Sequence, residues 1–153
     1  MTDKKNQDLP FWEANALEKL NHEEWEALCD GCARCCLFKL RNEETHEVFY
    51  TNVVCQLLNT DTCQCTDYLN RSTLVPTCLT LNPALVKSLD WLPATCAYRR
   101  LQEGKQLPWW HPLLSRNKDS VHFAGISVRG KNISELDINM ETELEDYIIE
   151  WIE

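Results

Sequence analysis

Glycine is scarce in this sequence, with four among 153 residues, and no internal repeat or low-complexity stretch is found. Long flexible linkers are therefore excluded, and the length suits one domain, which we predict to span residues 1–153. No apolar run approaches the eighteen residues that a membrane-spanning helix needs. The first residues carry two lysines with no apolar stretch after them, so we expect no signal peptide and a cytoplasmic protein.

Basic residues are also few, with 15 lysines and arginines against 24 acidic residues and a net charge of −9. Eight of the acidic residues fall in the last twenty positions, which contain no lysine or arginine. A protein that binds nucleic acid without sequence preference needs a basic face, so we expect no nucleic-acid partner. We also expect no membrane partner, and the sequence leaves any protein partner open.

Three familiar catalytic patterns are missing: a glycine-rich nucleotide loop, the H-E-x-x-H pattern of metalloproteases and the nucleophile elbow of hydrolases. What the sequence does contain is nine cysteines. In a reducing compartment so many cysteines indicate metal ligation or catalysis, and an odd number fits a complete set of disulfides poorly.

Four cysteines lie within eight residues, at Cys29, Cys32, Cys35 and Cys36. A spacing of two residues lets a tight turn point two sulfurs at one ion while backbone N–H groups approach them, and Gly31 tolerates the left-handed conformation of such a turn. Sites made of thiolates hold zinc or an iron–sulfur cluster. Because neighbouring side chains point in different directions, only one of Cys35 and Cys36 is expected to join Cys29 and Cys32 at a given ion.

Five more cysteines follow and complete the set of predicted metal ligands. Cys55, Cys65 and Cys78 are interpreted as ligands, whereas Cys63 and Cys96 are left open between ligand and buried thiol. Cys96 is predicted in the first turn of a helix that starts at Pro93, where the helix dipole stabilises a thiolate. Arginines near the cysteines could offset negative charge: Arg34, Arg71, Arg99 and Arg100. Among the four histidines, His111 is the best candidate for a spare ligand.

Local patterns predict short elements. Asn21 with Glu24 three residues later is typical of a helix start, and Asn82-Pro83 starts another helix. Alternation of apolar and polar residues around 38–50 predicts a β-hairpin. Val121–Val128 resembles a strand, and an acidic amphipathic helix is predicted over about 141–152. The fold class is therefore α+β, a small domain of short helices and one or two β-hairpins organised around a cysteine-rich metal site.

The cluster Cys29–Cys36 resembles the signature of the bacterial CxxCxxCC family of zinc- or iron-chelating proteins. That family continues with a later cysteine, a C-x-x-Y-x-x-R motif, and a proline before another cysteine. The matching positions here are Cys55, Cys65-Thr66-Asp67-Tyr68-Leu69-Asn70-Arg71 and Pro76-Thr77-Cys78. Four residues separate Arg71 from Pro76, whereas the family tends to have them adjacent.

Flanking pieces of the chain resemble the YcgN-type branch of that family. They include Trp91-Leu92-Pro93, Thr95-Cys96-Ala97-Tyr98-Arg99 and Trp110-His111-Pro112. The resemblance implies a compact metal-binding domain and no particular reaction. We favour a cytosolic protein that holds zinc or iron, including the case of a 4Fe–4S cluster, without catalytic activity of its own. The alternatives are an iron–sulfur or thiol redox protein, an accessory subunit of a modifying enzyme, and an adaptor whose metal shapes a surface.

Overall fold

The computed structural model describes residues 9–75, 78 and 80–152. Within them the chain divides into two compact units. The first unit contains the described residues up to Asp30 together with Leu81–Lys118. The second unit contains the described residues of Gly31–Thr80 and those from Asp119 onward. The prediction of one domain over residues 1–153 stays a prediction.

The elements of the described residues are short. The α-helices are α1 (Phe11–Ala14), α2 (His22–Ala27), α3 (Arg71–Leu74), α4 (Pro83–Ser88), α5 (Ala97–Gln102), α6 (Pro112–Ser115) and α7 (Ser120–Phe123). The strands are β1 (Leu37–Arg41), β2 (Val48–Val54) and β3 (Ile133–Ser134). Single 3-10 turns occur at Leu17–Lys19, Arg34–Cys36, Glu135–Asp137 and Leu144–Tyr147. The predicted α+β class is confirmed, and the described residues include no helix long and apolar enough to cross a membrane.

The first unit is helical and packs around one apolar cluster. Its buried members are Leu17, Leu28, Val86, Leu92 and Tyr98. The Tyr98 hydroxyl donates to the Trp25 carbonyl at 2.7 Å, and the two rings lie 4.5 Å apart. Helix α2 begins as the sequence predicts, because the Asn21 side chain accepts from the Glu24 N–H while the Glu24 side chain accepts from the Asn21 N–H. This reciprocal cap fixes the helix that leads to Cys29.

Helix α4 also begins where predicted, with the Asn82 side chain accepting from the Leu85 N–H and Pro83 in the first turn. The helix predicted to start at Pro93 begins four residues later, because the Pro93 carbonyl accepts from the Cys96 N–H in a turn of its own. Cys96 is consequently the residue before α5 rather than a member of its first turn. Gly104, with φ +75°, follows the end of that helix.

A mixed three-stranded sheet forms the centre of the second unit. Strands β1 and β2 are antiparallel, which confirms the predicted hairpin, and β3 runs parallel to the end of β2. Leu37 and Val54 belong to the buried cluster of this unit, together with Leu58, Cys63 and Val128. The end of β2 is therefore buried, and the chain leaves it directly into Cys55.

Two hairpin loops of the second unit are built in the same way, at residues 42–47 and 59–64. In each loop an asparagine side chain accepts two main-chain N–H groups, from residues two and three positions later. In each, the fifth residue has positive φ, 62° at His46 and 60° at Cys63. Both follow the pattern Asn-x-acid-Thr-x-Glu/Gln, a likeness too short to appear as a sequence repeat. The second loop belongs to a small hairpin in which Leu58 pairs with Cys65.

The strand predicted at Val121–Val128 is wrong. The chain instead forms α7 over its first part and then turns, with Gly125 at φ +73°. The N–H groups of Ile126 and Ser127 both donate to the Val121 carbonyl at 3.2 Å, which closes the turn and prevents an extended strand. The apolar alternation reflects burial of Val121 and Val128 on the two sides of this turn.

The amphipathic helix predicted over about 141–152 is also not formed. Only the 3-10 turn Leu144–Tyr147 is helical, and the chain beyond it runs beside β2, with Ile148 bridged to Thr51 and the Ile149 N–H donating to the Tyr50 carbonyl at 2.9 Å. The acidic residues of this segment have no basic neighbours at helical spacing, and like charges three or four positions apart destabilise a helix. An extended backbone lets Ile149, Trp151 and Ile152 pack against the core.

Candidate metal centre

The nine cysteines all lie within the described part of the chain, and all are reduced rather than disulfide-bonded. Cys29 and Cys96 belong to the first unit. The other seven belong to the second unit: Cys32, Cys35, Cys36, Cys55, Cys63, Cys65 and Cys78. Most of the thiols that could converge therefore belong to the second unit.

The segment after Gly31 forms the tight turn that the sequence predicts. Gly31 has φ +79° and Ala33 has φ +62°, and the Arg34 N–H donates to the Cys32 sulfur at 3.5 Å. The 3-10 turn Arg34–Cys36 follows at once and leaves Cys35 exposed while Cys36 is half-buried. Backbone donors thus approach a thiol of the first cluster, as thiolate sites require.

Cys55 has the same backbone arrangement as Cys32. The Leu57 N–H donates to its sulfur at 3.5 Å, directly after β2 ends. The small hairpin then returns the chain to Cys65, which pairs with Leu58, while the Thr66 N–H donates to the Leu57 carbonyl at 2.7 Å. Cys55 and Cys65 are therefore held at the same open end of this hairpin.

Four cysteines of the second unit share one electrostatic neighbourhood. Burial is the main factor that raises the pKa of the Cys78 thiol, and the charges of Cys55, Cys65 and Cys35 raise it further. Burial is likewise the main factor that raises the pKa of the Cys55 thiol, and the charges of Glu135 and Cys65 add to it. Charges act on one another in this way only over short distances. Cys35, Cys55, Cys65 and Cys78 are therefore gathered in one region of the unit.

The four sulfurs are farther apart than the ligands of a single metal ion would be. Among the residues described, no three cysteine, histidine, aspartate or glutamate side chains come close enough to hold one ion together. The donor set itself fits zinc and iron, because both accept thiolate ligands. A metal ion would therefore have to draw these sulfurs inward from the positions seen here. Pro76 and Thr77, which belong to the resembling motif, lie outside the described residues.

Cys63 is in a different environment from those four cysteines. It is 4% exposed and belongs to the buried cluster of the second unit. Burial raises the pKa of its thiol, whereas a hydrogen bond from Ser127 and the nearby Arg129 lower it. Ser127 is also hydrogen-bonded to His122 Nδ1 at 2.6 Å. Such a thiol acts as a hydrogen-bonded part of the core, and the prediction that Cys63 binds metal stays a prediction.

Replacing Cys63 separates a core role from a ligand role. We expect Cys63→Ala to lower the free energy of unfolding by about 1–3 kcal/mol, because the Val128 and Arg129 N–H groups and the Ser127 hydroxyl all lose the buried sulfur as an acceptor. Cys63→Ser keeps an acceptor and is expected to lose less. Urea unfolding and metal analysis of both variants provide the measurement. A well-folded Cys63→Ser protein that has lost its metal would contradict this interpretation.

Two residues beside the cysteines carry no signal in the sequence. The Lys39 ammonium donates to the Cys35 and Leu37 carbonyls at 3.0 and 2.6 Å and lies 5.1 Å from the centre of the Tyr50 ring. Burial lowers the pKa of Lys39 to about 8, while the nearby Cys35 and Cys36 raise it. The Glu135 carboxylate accepts from the Gln56 N–H at 2.9 Å beside Cys55, although 79 positions separate the bonded residues. Pairing of β3 with β2 brings Glu135 to Cys55, whereas Lys39 follows Cys35 by four positions in the chain.

In the first unit, the spare-ligand candidate His111 is fully buried and both of its ring nitrogens are in use. Nδ1 accepts from the Leu113 N–H at 3.1 Å, and Nε2 lies 2.8 Å from the Leu28 carbonyl. It is therefore a structural histidine. Cys29 is exposed after α2, and Cys96 is half-buried against the apolar cluster of this unit. For both, the prediction of metal ligation stays a prediction.

The raised pKa values of Cys55 and Cys78 make metal binding depend on pH. Thiols must lose their protons to bind metal, so the apparent affinity should rise by about tenfold per pH unit for each protonated ligand thiol. We expect this rise between about pH 6 and 8, measured by competition with a chelator of known affinity. In the metal-free protein, the free energy of unfolding changes with pH in the opposite direction: it falls as the pH rises. Burial favours the neutral thiols in the folded protein. The stability that they contribute is therefore fully present below the ordinary thiol pKa and is lost as the pH rises through the raised pKa of the folded state.

Comparison with known protein families identifies the kind of domain that this chain contains. The CxxCxxCC family model, described as "Putative zinc- or iron-chelating domain", matches residues 28–97. That range contains all nine cysteines. The resemblance to the CxxCxxCC family is thereby confirmed, and the chain carries a domain of the kind described as zinc- or iron-chelating.

Relatives cover nearly the whole chain. A UPF0260 protein of Granulibacter bethesdensis is 57% identical over 143 residues, which are 94% of this chain and 84% of that protein. UPF0260 proteins of Parvibaculum lavamentivorans and Brucella melitensis are each 52% identical, over 93% and 92% of this chain and 92% and 91% of their own lengths. No solved structure matches. The chain belongs to the UPF0260 family.

Proposed function

We propose that this protein binds zinc or iron through thiolates of its second unit, with Cys35, Cys55, Cys65 and Cys78 as the central ligands. The observation that supports this choice is the shared electrostatic neighbourhood of these four sulfurs, in which the charges of three act on Cys78. The description of the matching domain as zinc- or iron-chelating points to the same chemistry. Cys32 and Cys36, which lie near Cys35 in the same unit, stay predicted sources of further ligands.

The loose spacing of the four sulfurs implies that binding and ordering occur together. A metal ion that draws the sulfurs inward would also tie Cys78 to the second hairpin through its ligand bonds. Structural zinc contributes about 10–16 kcal/mol of apparent binding free energy in small zinc-finger peptides at neutral pH. Domains are stable by about 5–15 kcal/mol in total. The proposed site is therefore structural as well as functional, and it acts without a catalytic group of its own.

We also propose a cytoplasmic location, because a reducing compartment keeps cysteines as thiols that can bind metal. The alternative to a single metal ion is an iron–sulfur cluster, including a 4Fe–4S cluster, which would be held by the same four thiolates. In that case the protein would be able to carry electrons. A single ion and an iron–sulfur cluster would be bound by the same cysteine ligands. The test must therefore measure sulfide as well as metal.

The test is metal and acid-labile sulfide analysis of the full chain prepared without oxygen, together with native mass spectrometry. We expect one or two equivalents of zinc or of mononuclear iron per chain, or four equivalents of iron if the site holds a 4Fe–4S cluster. Sulfide in amounts equal to iron would assign a cluster, and its absence with bound zinc would assign a mononuclear site. Protein that contains no metal and takes up neither Zn²⁺ nor Fe²⁺ under reducing conditions would overturn the proposal.

A further inference from the structure

Arg34 is a buried arginine inside the first cysteine cluster, between Cys32 and Cys35. Its residue surface is 4% exposed. Its Nε donates to the Ile126 carbonyl at 2.7 Å, although 92 positions separate the two residues in the chain. Its guanidinium carbon lies 5.6 Å from the centre of the Trp151 ring, within the range of a cation–π contact. Because a buried charge needs partners, these contacts give Arg34 a fixed place in the second unit.

The turn that carries Arg34 has a strained backbone. Ala33 has φ +62°, a left-handed conformation that costs free energy for a residue with a Cβ and persists where the surrounding structure fixes it. Directly before Ala33, the Cys32 carbonyl accepts from the Val128 N–H at 3.0 Å. Directly after it, Arg34 donates to the Ile126 carbonyl. Two hydrogen bonds to one segment of the chain therefore hold the two sides of the strained residue.

The segment that holds this turn, residues 125–128, is itself fixed. The N–H groups of Ile126 and Ser127 both donate to the Val121 carbonyl of α7 at 3.2 Å. Val128 is fully buried in the core cluster of the second unit. The bonds from this segment to the cysteine turn use main-chain carbonyls as acceptors, so they leave the cysteine sulfurs available to a metal.

The same turn orients the cysteine side chains. The Arg34 N–H donates to the Cys32 sulfur at 3.5 Å. The 3-10 turn Arg34–Cys36 then leaves Cys35 exposed and packs Cys36 against the core cluster. The direction of these thiols therefore depends on the backbone conformation on either side of Arg34.

We propose that Arg34 is a positioning residue of the metal site. Its bond to the Ile126 carbonyl keeps the cysteine turn formed, so that Cys32 and Cys35 have their orientation before a metal binds. This inference rests on the proposed function. It makes the cysteine turn the fixed side of the site, toward which a metal draws the sulfurs of the other proposed ligands.

The first test uses the unchanged full chain, zinc-loaded and chelated under reducing conditions, with amide exchange followed by nuclear magnetic resonance. The Val128 N–H, which binds the Cys32 carbonyl, should keep its protection within about tenfold after chelation, because the turn forms without the metal. The Thr66 N–H of the second hairpin should exchange far faster after chelation. Equal loss of protection at Val128 and Thr66 would overturn the inference.

The second test compares zinc affinities by chelator competition. Arg34→Met removes the donor to the Ile126 carbonyl but keeps an unbranched side chain. Residues that orient metal ligands change metal affinity by about 10–100-fold, so we expect Arg34→Met to weaken zinc binding by at least about tenfold. Arg34→Lys keeps a charged donor and should recover most of that loss. If Arg34→Met does not fold, the Val128 measurement decides the inference.

Lys131→Met is the matched control. Lys131 Nζ donates to the neighbouring Gly125 carbonyl at 2.9 Å and lies 5.0 Å from the centre of the same Trp151 ring. Lys131 is exposed and lies outside the cysteine turn, so Lys131→Met should bind zinc as the unchanged protein does. Equal losses in Arg34→Met and Lys131→Met would overturn the inference, because packing of Trp151 rather than the cysteine turn would then set the affinity.

A double variant separates positioning from a general loss of stability. Glycine adopts positive φ without the cost that alanine has, so Ala33→Gly should make the turn depend less on Arg34. We expect Arg34→Met to weaken zinc binding several-fold less in the Ala33→Gly protein than in the unchanged one. Equal losses in both would overturn the inference, even if the proposed site is correct. Failure of the unchanged protein to bind zinc or iron would instead overturn the proposed function and this inference together.

Discussion

Replacing Cys65 or Cys78 by serine is expected to remove most of the bound metal. Both side chains belong to the group of four sulfurs, and serine is a poor ligand for the soft, thiolate-preferring ions proposed here. The remaining three thiolates leave an open coordination position, so a structural site becomes a weak and exchangeable one. Metal content after dialysis against a mild chelator measures the effect, and we expect well under half of the content of the unchanged protein.

Cys63→Ser is the matched control, because it makes the same substitution between the two ligand-bearing arms of the small hairpin. It should retain full metal content, since the Cys63 thiol is hydrogen-bonded within the core. Cys32→Ser tests whether the first cluster adds ligands beyond Cys35. Retention of all the metal by the Cys65→Ser and Cys78→Ser proteins would show that the central ligand set is wrong.

Metal removal should loosen residues 55–80 far more than the helices of the first unit. A ligand that binds only the folded state, at a concentration a thousand times its dissociation constant, stabilises that state by about 4 kcal/mol. Amide hydrogens of the second hairpin should therefore exchange about a thousandfold faster after chelation. Helix α2 has its own cap and packs in the apolar cluster of the first unit, so its protection should change little.

Hydrogen exchange followed by mass spectrometry, on metal-loaded and chelated protein under reducing conditions, measures both regions at once. A chelated sample reloaded with zinc serves as the control for irreversible damage. Equal protection of residues 55–80 with and without metal would contradict a site that organises this segment. A uniform loss of protection in both units would indicate instead that the whole chain unfolds as one.

Features governed by local hydrogen bonds could be predicted from the sequence, and this explains which expectations are confirmed. The Asn21–Glu24 cap, the Asn82-Pro83 helix start and the first hairpin each depend on residues within a few positions of one another. The left-handed turn at Gly31 belongs to the same group, because only the local backbone conformation decides it.

Features governed by distant packing could not be predicted. The apolar residues 144–152 have helical spacing, but the chain after the 3-10 turn is extended and hydrogen-bonds to the main chain of β2. The sequence of the segment alone does not show that β2 is available as a partner. The same holds for the candidate site. Cysteine spacing indicated thiolate chemistry, yet the burial of Cys63 and its hydrogen bond with Ser127, 64 positions away in the chain, cannot be read from that spacing. The position of Glu135 beside Cys55 depends on the pairing of β3 with β2 as well.

The two loops at 42–47 and 59–64 give this molecule an internal reference. Their main-chain hydrogen bonds coincide, but only the second loop stands between Cys55 and Cys65. In a nuclear magnetic resonance titration, Asn42 and Asn59 would start from the same pattern of hydrogen bonds between side chain and main chain. A change at Asn59 without a change at Asn42 as zinc is added would then indicate binding beside the second loop rather than a general change in temperature, acidity or concentration.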